Sequence, residues 1–217
     1  APARVGKLRL WAEFVALFIA TPIAVWWFAS GGGGVFSVLL AALVVGGWLL
    51  HGTPGWRWRR LIEGPVHPHW RATLGFTIGT VLVVGALTLW LRPASLFAIP
   101  LYRPELMLLI ALAYPILSAL PQEILFRALF FERYGPLFGP EPGGGRLAVF
   151  INGLIFGLAH LYYANAIAIG LSVLAGWLFA DAYLHRRSFP LALLWHVIGG
   201  LLVFAIGLGG YFYAGAR

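Results

Sequence analysis

Long apolar runs recur along the whole chain and are separated by short segments rich in Gly, Pro and Arg. Each run comes near the roughly 20 residues that an α-helix needs to cross the hydrocarbon core of a bilayer. A helix satisfies its own backbone polar groups there, which an open strand does not. The pattern therefore predicts an all-α, polytopic transmembrane bundle of about seven helices, over residues 10–29, 35–50, 73–91, 106–120, 147–163, 166–184 and 190–213.

The composition excludes a soluble globular protein. Of the 217 residues, 61% are hydrophobic and 10% are charged, whereas an average soluble domain has roughly 25% charged residues. The chain has no cysteine, so disulfides, thiol nucleophiles and cysteine metal sites are excluded. No internal repeat or domain boundary interrupts the series of runs, and residues 1–217 are expected to form a single integral membrane domain.

The formal net charge of +8 does not indicate a nucleic-acid partner, because the basic residues follow the membrane pattern. If the N-terminus is cytoplasmic and seven helices alternate, three basic residues (Arg92, Arg103 and Arg217) face the outside and Arg127 lies within a span. The other eleven face the cytoplasm, and this positive-inside bias predicts an N-in, C-out protein whose basic loops contact membrane lipids. The eleven are Arg4, Lys7, Arg9, Arg57, Arg59, Arg60, Arg71, Arg133, Arg146, Arg186 and Arg187.

Ionisable residues inside apolar runs are rare in membrane proteins and usually mark function. The stretch ALPQEILFRALFFERY places Glu123 and Arg127 beside the fourth run, while His160 lies near the end of the fifth and His196 lies early in the seventh. Glu123 and Arg127 are four residues apart, so they share a helix face and are expected to form an ion pair. These four residues are the candidates for chemistry.

Two other acidic residues are expected to have no catalytic role. Glu13 lies near the start of the first run, where its side chain can reach the membrane interface. Asp181 is close to His185 and Arg186 at a cytoplasmic helix end, which favours a surface ion pair.

Glu123, His160 and His196 are expected to lie at a comparable depth in one polar cavity. Counted from the nearest cytoplasmic arginine along each helix, their depths are about 15, 21 and 14 Å at roughly 1.5 Å per residue. A carboxylate and two imidazoles permit general-base activation of water and stabilisation of an oxyanion. The same groups could hold a zinc ion, although no H-E-x-x-H motif favours metal. The spacing alone leaves both chemistries open.

The order of these residues resembles the three-motif pattern of the CAAX-protease and bacteriocin-processing family of intramembrane proteases. That pattern is E-E-x-x-x-R, then F-x-x-x-H, then H-x-x-x-N or H-x-x-x-D, and here the motifs read QEILFR, FGLAH and WHVIGG. The resemblance covers residues 105–210, the expected catalytic core. Carried over position by position, it gives five catalytic candidates: Gln122, Glu123, Arg127, His160 and His196.

The resemblance implies an intramembrane endopeptidase of a prokaryotic inner (plasma) membrane that works with a glutamate and needs no metal or cofactor. The expected reaction is hydrolysis of a peptide bond near the C-terminus or membrane boundary of a protein or peptide substrate. A prenylated protein, a leader peptide and a C-terminal sorting tag are the substrate classes left open.

Two positions depart from the family pattern. Gln122 stands where the first glutamate, the expected base, is found, and Gly200 stands where the third motif has Asn or Asp. Three interpretations follow: Glu123 acts as the base, Gln122 is an engineered replacement, or the chain is a binder without activity. The first is favoured, with Arg127 keeping Glu123 ionised and Asn152 a candidate for the missing amide.

A different class of function also fits the sequence. The buried Glu, Arg and His residues could stabilise a non-catalytic scaffold or relay protons in a small-molecule transporter. A transporter is expected to show repeat symmetry between its halves, and the sequence shows none.

Overall fold

The structure, a computed structural model, describes residues 6–28 and 35–212, and the described residues contain helices and no β-strand. Six helices are long and apolar enough to cross a membrane, and the shorter α2 accompanies them. The all-α bundle of about seven helices is thus confirmed. The helices are α1 (Lys7–Phe28), α2 (Val35–His51), α3 (Trp70–Leu91), α4 (Pro104–Leu137), α5 (Gly145–Ala159), α6 (Ala166–Leu184) and α7 (Phe189–Ile206).

The direction in which the bundle crosses the membrane stays a prediction. Two of the residues counted for the charge bias, Arg4 and Arg217, lie outside the described part of the chain. The expected single domain over residues 1–217 likewise stays a prediction.

The second half of α4 is the centre of the bundle. From Pro121 to Gly135 every residue is buried except Gln122 and Glu132, which are partly buried. Helices α1, α2, α5, α6 and α7 all contact this half of α4, so apolar side chains cover every side of it, as is usual for a fully enclosed helix. A polar side chain on α4 therefore lies inside the protein.

The backbone of α4 is widened to i→i+5 hydrogen bonding over Pro115–Ala119 and Ile124–Tyr134. Pro115 and Pro121 have no backbone N–H to donate, which disturbs the regular i→i+4 ladder. Widened π segments are rare and often occur at functional sites. Gln122 and Glu123 lie between the two widened segments.

Glu13 forms a long-range ion pair that its place in the sequence does not indicate. Its carboxylate accepts two hydrogen bonds from Arg133, Nε to Oε2 at 2.7 Å and Nη2 to Oε1 at 3.0 Å. Nη1 of Arg133 donates to the carbonyl of Leu49 and to Oγ1 of Thr53, both at 3.3 Å. A bidentate, charge-assisted pair of this kind is stronger than a single bond between neutral groups. Glu13 thus joins α1 to α4, and its Oε1 also accepts a hydrogen bond from Nε of the exposed Arg9 at 2.9 Å.

Glycines let α5 and α6 approach very closely. A Cβ atom at Gly153 would overlap the Trp177 ring, and one at Gly176 would lie 2.9 Å from the Cα of Gly153 and from the Cβ of Phe156. Small residues allow this close packing of helices in a membrane. The contact fixes Phe156, and with it the end of α5 that carries His160.

A larger side chain at this contact is expected to destabilise the bundle. Gly176→Leu should lower the free energy of unfolding by about 1–3 kcal/mol, because an overpacked site forces backbone shifts. Gly170→Leu is the matched control on the same helix, since a Cβ atom at Gly170 meets nothing within 4 Å. Thermal unfolding in detergent compares the two variants, and equal melting temperatures would contradict the close packing of α5 on α6.

Candidate active site

Glu123 is the centre of a fully buried polar network. Its Oε1 accepts a hydrogen bond from Nδ1–H of His196 at 2.8 Å, and its Oε2 lies 3.2 Å from Nε of Arg127. The side chains of Glu123 and Arg127 are completely inaccessible, and that of His196 is 5% exposed. The ion pair expected from the i, i+4 spacing is confirmed, and the long-range partner His196 comes from α7.

Arg127 is held by a hydrogen bond from its guanidinium and by two aromatic rings. Its Nη1 donates to Oδ1 of Asn152 at 2.7 Å, and Nδ2 of Asn152 donates in turn to the carbonyl of Phe126 at 2.6 Å. The guanidinium carbon lies 4.7 Å from the ring centre of Phe156 and 5.6 Å from that of Phe179, which are cation–π distances. Asn152 is therefore used to hold Arg127 and does not replace the third-motif side chain.

His160 occupies a different environment at the end of α5. Its Nδ1 lies 2.8 Å from the carbonyl oxygen of Phe156. Because a carbonyl can only accept a hydrogen bond, Nδ1 carries the proton, and the neutral ring keeps its lone pair on Nε2. Nε2 of His160 is thus able to accept a proton.

A partly open cavity lies beside His160. Its walls come from α1, α2, α4 and the turn after α5, and most of the lining is apolar. This combination of an apolar wall and a few converging polar groups is typical of a ligand site. The lining residues are Leu17, Phe18, Thr21, Pro22, Val25, Val38, Leu39, Ala42, Gln122, Leu125, Phe126, Ala159, His160, Tyr162 and Tyr163.

One of the three residues expected to share a polar cavity lines this one. His160 lines the cavity, whereas Glu123 and His196 do not. The ring of Phe156 contacts both imidazoles, with its centre 4.9 Å from that of His160 and 5.5 Å from that of His196. Phe156 thus contacts both His160, which lines the cavity, and His196, which is buried beside Glu123.

Gln122 lies on the cavity side. It is partly buried, lines the cavity with His160, and donates from Nε2 to Oγ of Ser118 at 2.9 Å. Successive helical residues point about 100° apart, so Gln122 and its neighbour Glu123 leave α4 in different directions. The residue at the family's first glutamate position is therefore the one beside His160 in the cavity.

The donor geometry bears on metal binding. Among residues 6–28 and 35–212, no group of three His, Cys, Asp or Glu side chains could hold a metal ion. Glu123 and His196 are in contact, and no third side chain of these types completes a metal site with them in the described residues. Independence from zinc stays a prediction, and activity that survives a chelator would support it.

Asp181 has the surroundings expected from the sequence. Nδ1 of His185 lies 2.9 Å from Oδ1 of Asp181, and Nε of Arg186 lies 3.2 Å from Oδ2. These side chains are all at least one-third exposed, and exposed ion pairs contribute little to stability. This cluster is separate from the site.

One family model matches this part of the chain. It is described as Type II CAAX prenyl endopeptidase Rce1-like, and it matches residues 104–211. The matched segment contains α4 to α7 and all five catalytic candidates, so the family predicted from the three motifs is confirmed. No curated protein and no solved structure matches the chain.

Proposed function

The chain belongs to the Rce1-like family of type II CAAX prenyl endopeptidases, and we propose that it hydrolyses a peptide bond in the cavity beside His160. The observation that carries the proposal is that one cavity is lined by both His160 and Gln122, which stand at the second-motif histidine and the first-motif glutamate positions. The substrate is a protein or peptide cut near its C-terminus or near the membrane boundary.

His160 is the proposed general base. Nε2 takes a proton from a water molecule in the cavity as the water oxygen attacks the scissile carbonyl carbon. The same proton then passes to the nitrogen of the leaving peptide, and the C–N bond breaks. Histidine suits both steps because one imidazole nitrogen can accept a proton and then donate it.

Gln122 has a supporting role in this scheme. An amide cannot take a proton at neutral pH, but its oxygen accepts hydrogen bonds and its nitrogen donates them. On the cavity wall it orients the attacking water toward His160. A glutamine here can orient the water but cannot accept its proton, which implies a slower enzyme than a glutamate would give.

The proposed role of Glu123, Arg127 and His196 is to hold His160 in position without contacting the substrate. Burial of a carboxylate is tolerated when it is paired and hydrogen-bonded, and Glu123 has both partners. The contact of Phe156 with Arg127, His160 and His196 links this network to the cavity. Glu123 as the base remains the competing assignment, because it is the carboxylate of the motif, and its complete burial disfavours it.

The membrane setting is part of the proposal. The protein is integral to a membrane, as its apolar helices and family indicate. The basic bias supports an N-in, C-out orientation in a prokaryotic inner membrane. A fusion reporter on each terminus tests this orientation. If a reporter that works only in the cytoplasm is active at the C-terminus, the orientation is wrong.

A non-catalytic binder is the second candidate, and one observation favours it. The cavity holds an amide at position 122 where the family pattern has a carboxylate, and the nearest carboxylate, Glu123, is inaccessible. Such a protein would hold a substrate segment in the cavity without cutting it.

The substitution Gln122→Glu separates the candidates. On the cavity wall the new carboxylate should assist His160 and raise the cleavage rate by up to roughly 10²-fold. The assay uses purified protein in liposomes and mass spectrometry of three probes: a farnesylated C-terminal CAAX peptide, the same peptide without the lipid, and a co-expressed protein with a C-terminal membrane anchor.

The outcomes of this assay are distinct. Slow cleavage by the unmodified chain and faster cleavage by Gln122→Glu support the proposal, and the gain should vanish when His160→Ala is added. An inert chain that becomes active only with Gln122→Glu identifies a binder that has lost its base. A neutral or harmful effect of Gln122→Glu on an active chain would instead support Glu123 as the base.

A further inference from the structure

The third motif lacks a polar side chain at Gly200, yet the space there is filled. Gly200 lies four residues after His196 on α7, so both face the same side of the helix. A Cβ atom built at Gly200 would overlap Cζ, Oη and Cε1 of Tyr114. Any side chain at position 200 and the phenol of Tyr114 therefore exclude each other.

Tyr114 comes from α4 and lies against the site. Its ring meets the His196 imidazole edge-on, with centres 5.9 Å apart. Its hydroxyl oxygen lies where a Cβ atom of residue 200 would be, four residues after His196 on α7. The hydroxyl therefore lies at the third-motif position, beside His196.

We propose that the Tyr114 hydroxyl replaces the missing third-motif group at Gly200 and donates a hydrogen bond to the carbonyl oxygen of the scissile bond. The inference rests on the proposed function. A phenol is a suitable donor because it carries one O–H on a rigid ring and needs no charge. Glycine at position 200 is required for this arrangement, since it leaves room for the ring.

A donor aimed at a developing oxyanion acts on the chemical step. Loss of one such donor typically lowers kcat by roughly 10²- to 10³-fold. Binding of the uncharged carbonyl in the ground state gains much less from it, so KM should change little. Loss of a side chain that only fills space would not lower kcat while leaving KM unchanged.

The direct test is Tyr114→Phe, which removes the hydroxyl and keeps the ring that packs on His196. We expect kcat to fall by at least tenfold, with KM and the melting temperature unchanged. Tyr102→Phe is the matched control, because Tyr102 is 78% exposed and lies outside the site. A Tyr114→Phe variant with the unmodified kcat would overturn the inference.

A swap of the two side chains tests the exclusion. Gly200→Asn alone should displace the Tyr114 ring and lower activity, and Tyr114→Ala alone should lower it by removing the donor. The double variant Tyr114→Ala with Gly200→Asn should recover activity above either single variant, because the new carboxamide enters the vacated space and can donate. Additive losses in the double variant would overturn the inference.

These results are separable from those of the proposed function. If the unmodified chain is inert and Gln122→Glu is active, the Tyr114 variants are compared in the Gln122→Glu background with the same expected ratios. If neither chain cleaves any probe, the proposed function fails and the inference fails with it. If the chain cleaves and Tyr114→Phe is fully active, the inference alone fails.

Discussion

Replacing His160 by alanine is expected to lower the cleavage rate by about 10²- to 10⁴-fold, the usual cost of losing a general base. The reason is the geometry of the ring: Nδ1 is bound to the carbonyl of Phe156, and Nε2 is the remaining nitrogen, on a residue that lines the cavity. Cleavage rates and thermal unfolding are measured on the same preparations, so that loss of the base is distinguished from loss of the fold.

His67→Ala is the control for this substitution. His67 lies in the short turn before α3 and is exposed, so its removal should change neither rate nor stability. A His160→Ala protein that keeps its melting temperature and more than one-third of the rate would refute the assignment of His160 as the base.

The substitution Glu123→Gln is expected to destabilise the protein by about 3–5 kcal/mol, because it leaves the Arg127 charge buried without its partner. Activity should fall with it, since the network behind His160 loses its centre. The free energy of unfolding in a mild detergent and the cleavage rate are both measured. Glu105→Gln is the matched control, because Glu105 is exposed at the start of α4.

A second substitution separates positioning by Glu123 from direct catalysis. Adding Arg127→Met removes the unpaired charge, and a pair replaced by uncharged groups of similar volume is often tolerated. We expect the double variant to recover part of the stability and part of the activity. A double variant that is stable but completely inactive would make Glu123 the base.

Local features of the site were predictable from the sequence because they depend on short spacings. The apolar runs predict helices since a bilayer leaves the backbone few alternatives. The pair of Glu123 and Arg127 follows from four residues of separation on one helix. Family membership follows from the order of three short motifs, and each motif can be recognised without knowledge of the fold.

Long-range contacts were not predictable in this way. Glu13 and Arg133 are 120 residues apart, and Glu123 and His196 are 73 apart, so no sequence spacing connects them. The ion pair of Glu13 with Arg133 forms because the fold brings that arginine of α4 to the same level of the bundle.

The different surroundings of Gln122 and Glu123 also escape a sequence analysis. Half of α4 is enclosed on all sides, so its apolar pattern gives no amphipathic signal that marks a cavity face. The cavity also depends on residues of α1 and α2, which lie outside residues 104–211, where the family model matches. The relation between Gly200 and Tyr114 is likewise a matter of packing, with no local pattern.

The central claim is that the chain hydrolyses a peptide bond with water activated on the cavity side of the site. The most direct measurement is mass spectrometry of the product formed by the unmodified chain in ¹⁸O-labelled water, with the farnesylated, unmodified and membrane-anchored probes. The account predicts a single cut near the C-terminus or membrane boundary, one ¹⁸O atom in the new carboxylate, and loss of this product in His160→Ala. Folded, unmodified protein that yields no labelled product from any probe would contradict it, whether or not Gln122→Glu restores cleavage.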